Sequence, residues 1–279
     1  MVHEQKSSIC SQCLEVISGT KHWQCETCQL SQHLKCLDEF LGCKHCANIK
    51  SEQKLCLDRA MLNYQLSWAV WHAQKAIDVF DGFSQNLLMK CERHGYQYSE
   101  ELIIEIKRFY CNAKINERMD EASLEVIKII HEVAVKEVMD FQLCFHCFMF
   151  RHNSKLKDFW FSAVCPNPHI LVYAKYRSFP YWPAKVLKYS KNNDSVYCRF
   201  FGSHDHALVP IGRCLLLTKD YPGTEPRLKG YIKAKEDLKN HLRELNKCFP
   251  ERFKFAEPNI RLNPEKLFLF EEPAFCAKQ

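Results

Sequence analysis

Apolar residues recur at helical spacing through the middle of the chain. Leu55, Leu57, Met61, Leu62, Leu66 and Trp68 form one such series. Leu102, Ile103, Ile106, Phe109, Tyr110 and Ala113 form a second, opened by Ser99 and two glutamates. Leu124, Ile127, Ile130, Ala134 and Val138 form a third, within about 119–139, and a shorter helix is expected over Phe83–Arg93. No proline interrupts 52–140. One apolar stripe per helix is what a four-helix bundle needs to bury a shared core. Beyond residue 170 the period changes to two: Val172–Lys175, Ala184–Val186, Val196–Phe201 and Leu208–Pro210 read as short strands, with Gly202 as a turn. His204 and His206, on the loop after Gly202, are expected to face solvent or DNA. The helical period returns over Tyr231–Phe249, with Leu238, Leu242 and Leu245 on one face. The pattern describes an α+β multidomain chain.

The first 50 residues follow neither period. They carry three C-x-x-C pairs, Cys10/Cys13, Cys25/Cys28 and Cys43/Cys46, with His33 and Cys36 between the second and third. Eight ligands in this order suit two tetrahedral zinc ions, because each C-x-x-C turn points both thiolates at one ion. A fourth pair, Cys144/Cys147, follows the helical series, and Cys165 lies downstream. A third zinc is one reading there, with His146, His152 or His169 to complete it; free buried thiols are the other. The chain holds 17 cysteines in 279 residues, which argues for metal binding in a reducing compartment. Met1–Ser8 is polar and unlike a secretory signal, and no apolar run approaches the ~20 residues that span a bilayer. No membrane partner is expected. Residues 168–279 hold 20 Lys and Arg against 12 Asp and Glu, while residues 1–167 hold 19 against 21. The excess of positive charge on the carboxy-terminal part points to nucleic acid. No nucleophile–base pair, phosphate loop or hydrolytic zinc motif is present, so the chain reads as no enzyme.

Several motifs resemble known modules. The order of four cysteines, one histidine and three cysteines resembles a PHD finger over 8–48. That resemblance implies that Cys10, Cys13, His33 and Cys36 hold one ion and Cys25, Cys28, Cys43 and Cys46 the other. Ser31 and Gln32 stand where methyl-lysine-reading fingers place a tryptophan. Residues 52–141 resemble a bromodomain: Phe109–Ala113 is similar to that family's apolar-x-Asn-Ala signature, but Asn116 and Glu117 occupy the acetyl-lysine-binding positions. Glutamate cannot donate to an acetyl carbonyl when ionised. A zinc knuckle is expected over 142–167, where the third cysteine of the family pattern falls on Ser162. Pro180-Tyr181-Trp182-Pro183 closely resembles a PWWP domain over 168–255, a five-stranded barrel followed by a helix, with 256–279 as a tail.

The PWWP resemblance implies a methyl-lysine cage walled by Phe179, Trp182 and Phe200. In the basic segment around it, Lys175, Arg177, Lys185, Lys188 and Lys191 are expected to touch DNA phosphates, with a solvated basic surface as the alternative. The order of modules resembles the MYND-type zinc-finger chromatin readers, without the MYND finger. That implies a nuclear protein that regulates transcription. Its expected partners are a methylated histone H3 tail, trimethylated at lysine 36, nucleosomal DNA, and corepressor or elongation proteins. The alternative is a chromatin-associated scaffold whose reader pockets have decayed and whose DNA binding ignores methylation.

Overall fold

The computed structural model describes residues 8–10, 14, 16–17, 22–26, 28–33, 59–77, 82–115, 119–156, 159–190 and 194–263. Two compact units divide the chain: Met1–Met139 with Pro273–Gln279, and Asp140–Glu272. Cys13, Cys36, Cys43, Cys46, Asn116, Glu117 and Lys191 lie outside the described residues.

In the first unit, β1 (Ser8–Ile9) pairs with β2 (Val16–Ile17), and β3 (His22–Gln24) with β4 (Ser31–His33), both antiparallel. Cys25, Cys28 and Leu30 are buried against Ile104, with Trp23 packed alongside. Arg108 donates to the Cys28 carbonyl at 2.5 Å. Four helices follow: α1 (Arg59–Ile77), α2 (Gly82–Glu92), α3 (Ser99–Ile115) and α4 (Glu121–Leu143). They match the expected helical segments over the described residues, with Leu55 and Leu57 of the first series lying outside them. Their caps explain where they start: the Glu101 carboxylate accepts the Gln97 N–H at 2.7 Å, and Asp120 accepts the Ser123 N–H at 2.8 Å. Asn63 on α1 exchanges two hydrogen bonds with the Tyr96 backbone, at 2.7 and 3.0 Å, and so fixes the α2–α3 connection.

The second unit begins with the last residues of α4 and the short helix α5 (Phe145–His152). A five-stranded antiparallel sheet then runs in the order β8-β7-β6-β5-β9. Its strands are β5 (Leu171–Ala174), β6 (Trp182–Ser190), β7 (Ser195–Phe200), β8 (His206–Pro210) and β9 (Cys214–Leu216). Helix α6 (Lys229–Cys248) follows. Both sheet faces are covered. Val172, Ala174, Ala184, Val186, Val196, Cys198 and Phe200 share one core. The alternate positions Leu171, Tyr173 and Leu215 pack with Phe161, Phe201 and the Ala234–Leu238–Leu245 face of α6. A bulge between Val186 and Lys188 shifts the β6–β7 register. Gly202 closes the turn after β7 with φ of +87°, and a Cβ there would lie 2.9 Å from the Ala234 nitrogen. Only glycine lets α6 approach this closely.

Candidate functional site

Asp140, where the second unit begins, is tied to the sheet. It is 1% exposed and accepts from Arg199 at 2.5 Å and from Arg151, with His206 at 3.3 Å. His206 is therefore turned to this carboxylate. His204, just ahead of it, bonds Asp237 at 2.9 Å and stacks on Phe161 at 4.3 Å. The expectation that both histidines face solvent or DNA is corrected by these contacts. Asp140 and α6 draw the two histidines inward, while Ser203 and Asp205 stay exposed.

Cys144, Cys147, Cys165 and His169 converge to a cluster whose ligand atoms all lie within 4.8 Å of one another. It is the one such group found among the described residues. Cys144 caps α5, and its Sγ accepts the Cys147 N–H at 3.4 Å, the turn that aims both sulfurs together. Cys165 Sγ stands 3.8 Å from Cys144 Sγ and 3.6 Å from Cys147 Sγ, and His169 Nε2 is 3.3 Å from each of the three sulfurs. Metal–sulfur bonds of ~2.3 Å around a tetrahedral ion imply edges of about 3.8 Å, so the donor set fits a metal. His169 Nδ1 donates to the Val186 carbonyl at 3.0 Å, which leaves the Nε2 lone pair free for the ion. His169 is thus the candidate fourth ligand. His146 lines an adjoining cavity of about 200 Å³, His152 packs on Phe148, and Ser162 is buried away from the cluster.

The donor set is electrostatically primed. Hydrogen bonds from the Cys144 and Cys165 thiols, opposed by burial and aided by His169, hold Cys147 well below the usual thiol range. Burial disfavours a charged His169, but the Cys147 and Cys144 charges overcome it and push the imidazole up to about 10. Metal entry would displace these protons.

The aromatic trio occupies one end of the sheet. Trp182 opens β6 opposite Ala174, and Ala184, two residues on, pairs with Phe200. Alternation therefore puts Trp182 and Phe200 on the same face of neighbouring strands. Phe179 lies on the turn just before and is 58% exposed. Trp182 is half-buried; its indole N–H donates to the Phe201 carbonyl at 2.9 Å and its ring meets Tyr231 edge-on at 5.3 Å. Phe200 is 9% exposed and belongs to the interior core. Sequence reasoning missed Tyr176, whose ring packs 6.5 Å from Phe200 and whose carbonyl accepts the Phe179 N–H at 3.1 Å. Its signal was an aromatic residue just ahead of the Phe179 turn.

Of the basic residues expected at DNA, Lys175, Arg177 and Lys188 are exposed. Lys185 is not. It is 1% exposed and donates to the carbonyls of Phe161 at 2.6 Å and Ala163 at 3.3 Å. Burial lowers its pKa, an effect the nearby Cys147, Cys165 and Cys144 charges oppose. A side chain sealed in this way cannot reach a phosphate, and the expectation of a DNA contact at Lys185 is withdrawn.

Among the described residues, no helix is long and apolar enough to cross a membrane. In the amino-terminal segment, Cys10 Sγ accepts the His33 N–H at 3.4 Å, and Cys28 N–H points at Cys25 Sγ at 3.5 Å. Comparison with known proteins agrees with the geometry. The PWWP domain family profile matches residues 170–250. The chain is also similar to the MYND-type zinc finger-containing chromatin reader Zmynd8 of Drosophila melanogaster, 35% identical over 159 residues. That stretch is 57% of this chain but 9% of the relative, so the chain spans a small part of the protein it matches. Residues 170–250 thus match the PWWP domain family, and more than half of the chain is similar to part of a MYND-type zinc finger-containing chromatin reader.

Proposed function

We propose that this chain is a non-enzymatic nuclear chromatin reader that grips a methylated lysine of histone H3, trimethylated lysine 36, between Phe179, Trp182 and Phe200. A trimethylammonium group keeps its charge but has no hydrogen-bond donor. Aromatic faces hold it by cation–π attraction, each contact worth ~0.5–2 kcal/mol. Lys175, Arg177 and Lys188 are each exposed on the same domain and would meet nucleosomal phosphates without reading sequence. The observation that carries the reading is the partly open Trp182, locked by its bond to Phe201, beside the exposed Phe179.

The Cys144–Cys147–Cys165–His169 cluster is read as a structural zinc site, closed by four protein ligands. The amino-terminal finger is read as a PHD-type module with two further zinc ions. Helices α1–α4 are read as a bromodomain-like bundle that serves as scaffold. Corepressor or elongation factors are the proposed protein partners.

A second reading has one observation in its favour. Phe200 is nearly buried in the core on one face of the sheet, which favours a closed core over a cage. The protein would then bind chromatin through its basic surface alone. Trp182→Ala separates the two. The first reading expects wild-type preference for a trimethylated lysine 36 peptide over the unmodified peptide, and loss of that preference in the variant. Equal binding of both peptides by the wild-type protein would favour the scaffold.

A further inference from the structure

The segment just before Cys165 is held by β6 and α6 at three consecutive carbonyls. Lys185 of β6 donates to the carbonyl of Phe161 at 2.6 Å and to that of Ala163 at 3.3 Å. His241 of α6 donates from Nδ1 to the carbonyl between them, Ser162, at 3.0 Å. The next residue of β6, Val186, supplies the carbonyl that orients His169. Lys185 and His241 are 1% and 2% exposed. The Lys185 ammonium also lies 4.5 Å from the centre of the Phe161 ring.

A buried ammonium needs negative charge close by. Among the described residues no carboxylate pairs with Lys185. The Ala163 carbonyl that it bonds lies two residues before Cys165, and charged sulfurs at Cys147, Cys165 and Cys144 would favour the ammonium. Three thiolates and a neutral imidazole around a divalent ion carry one net negative charge. Lys185 is placed to balance it.

We propose that Lys185, with His241 beside it, is a positioning residue through which the barrel holds the metal loop and neutralises the metal–thiolate centre. Metal retention and barrel stability then form one coupled equilibrium. The inference rests on reading the four-residue cluster as a zinc site. A lysine that merely packs would lower stability by the same amount with and without metal. A counter-ion and latch would do so far more when metal is bound.

The test uses the full chain, purified with zinc, as wild type and as Lys185→Met, Lys185→Arg, His241→Phe and Cys165→Ser. Zinc transfer to a chromophoric chelator is followed over time, and the Tm is measured before and after chelation. The phase missing from Cys165→Ser reports the cluster. In Lys185→Met this phase should run at least tenfold faster, and the Tm drop caused by chelation should fall to half the wild-type value or less. Lys185→Arg should restore much of both. His241→Phe, which keeps an aromatic ring but loses the donor, should release zinc about threefold faster and serves if Lys185→Met does not fold. Wild-type release rates together with a wild-type Tm drop in the foldable variants would overturn the inference. A wild-type protein with no phase absent from Cys165→Ser would instead overturn the zinc reading on which it rests.

Discussion

Asp140→Asn removes one charge from the interior and nothing else, and its cost follows from its surroundings. The Asp140 and Arg199 side chains are 1% and 2% exposed, and the bond between them is 2.5 Å long. Arg151 and His206 share the same carboxylate. Among the described residues Arg199 Nε and Nη1 have no acceptor, so the carboxylate is the main compensation for this buried guanidinium. Breaking a buried pair by removing one partner costs about 3–5 kcal/mol, because the other charge stays desolvated. That is a large share of the ~5–15 kcal/mol that holds a domain folded. Removing both charges, in Asp140→Leu with Arg199→Met, should cost less than Asp140→Asn alone, since no charge is left stranded. Urea unfolding of the full chain, followed by tryptophan fluorescence, gives both values. A loss below about 1 kcal/mol in Asp140→Asn would refute the argument and show that water reaches Arg199.

Two other predictions concern stability. Gly202→Ala forces a Cβ to 2.9 Å from the Ala234 nitrogen at a φ of +87°, and should cost at least about 1–3 kcal/mol; an unchanged Tm would show that α6 can withdraw freely. His241 is held down to about 3, by burial first and then by the Lys185 charge. A histidine takes up a proton near pH ~6.5 when unfolded, so the unfolded chain binds more protons between there and pH ~3. The stability from a neutral His241 is therefore present above about pH 6.5 and lost as pH falls, by up to ~1.4 kcal/mol per unit. Urea midpoints at pH 7.5, 6.5 and 5.5 should fall more steeply in wild type than in His241→Phe; parallel slopes would contradict the assignment.

Much of this architecture was legible in the sequence because its causes are local. Helical spacing predicted α1–α4, and alternation predicted the strands carrying Val172, Val186 and Val196. The C-x-x-C turn of Cys144 and Cys147 is a four-residue device and is visible as such. Misreadings arose where tertiary packing decides. Lys185 alternates with apolar Ala184 and Val186, which in a sheet with one wet face would put it in water. Here both faces are covered, so the same alternation buries it against Phe161. His169 could not be chosen over His146 or His152, because the choice depends on how β5 returns past α5. The Asp140–Arg199 pair spans 59 residues and follows no period.

The central claim is that an aromatic pocket on the PWWP domain reads lysine methylation on chromatin. The most direct measurement is the affinity of the full chain for nucleosomes trimethylated at histone H3 lysine 36, set against unmodified nucleosomes at the same salt. The account predicts tighter binding to the methylated particle, and a ratio that stays above one as salt weakens both. Equal affinities across the salt series would contradict it.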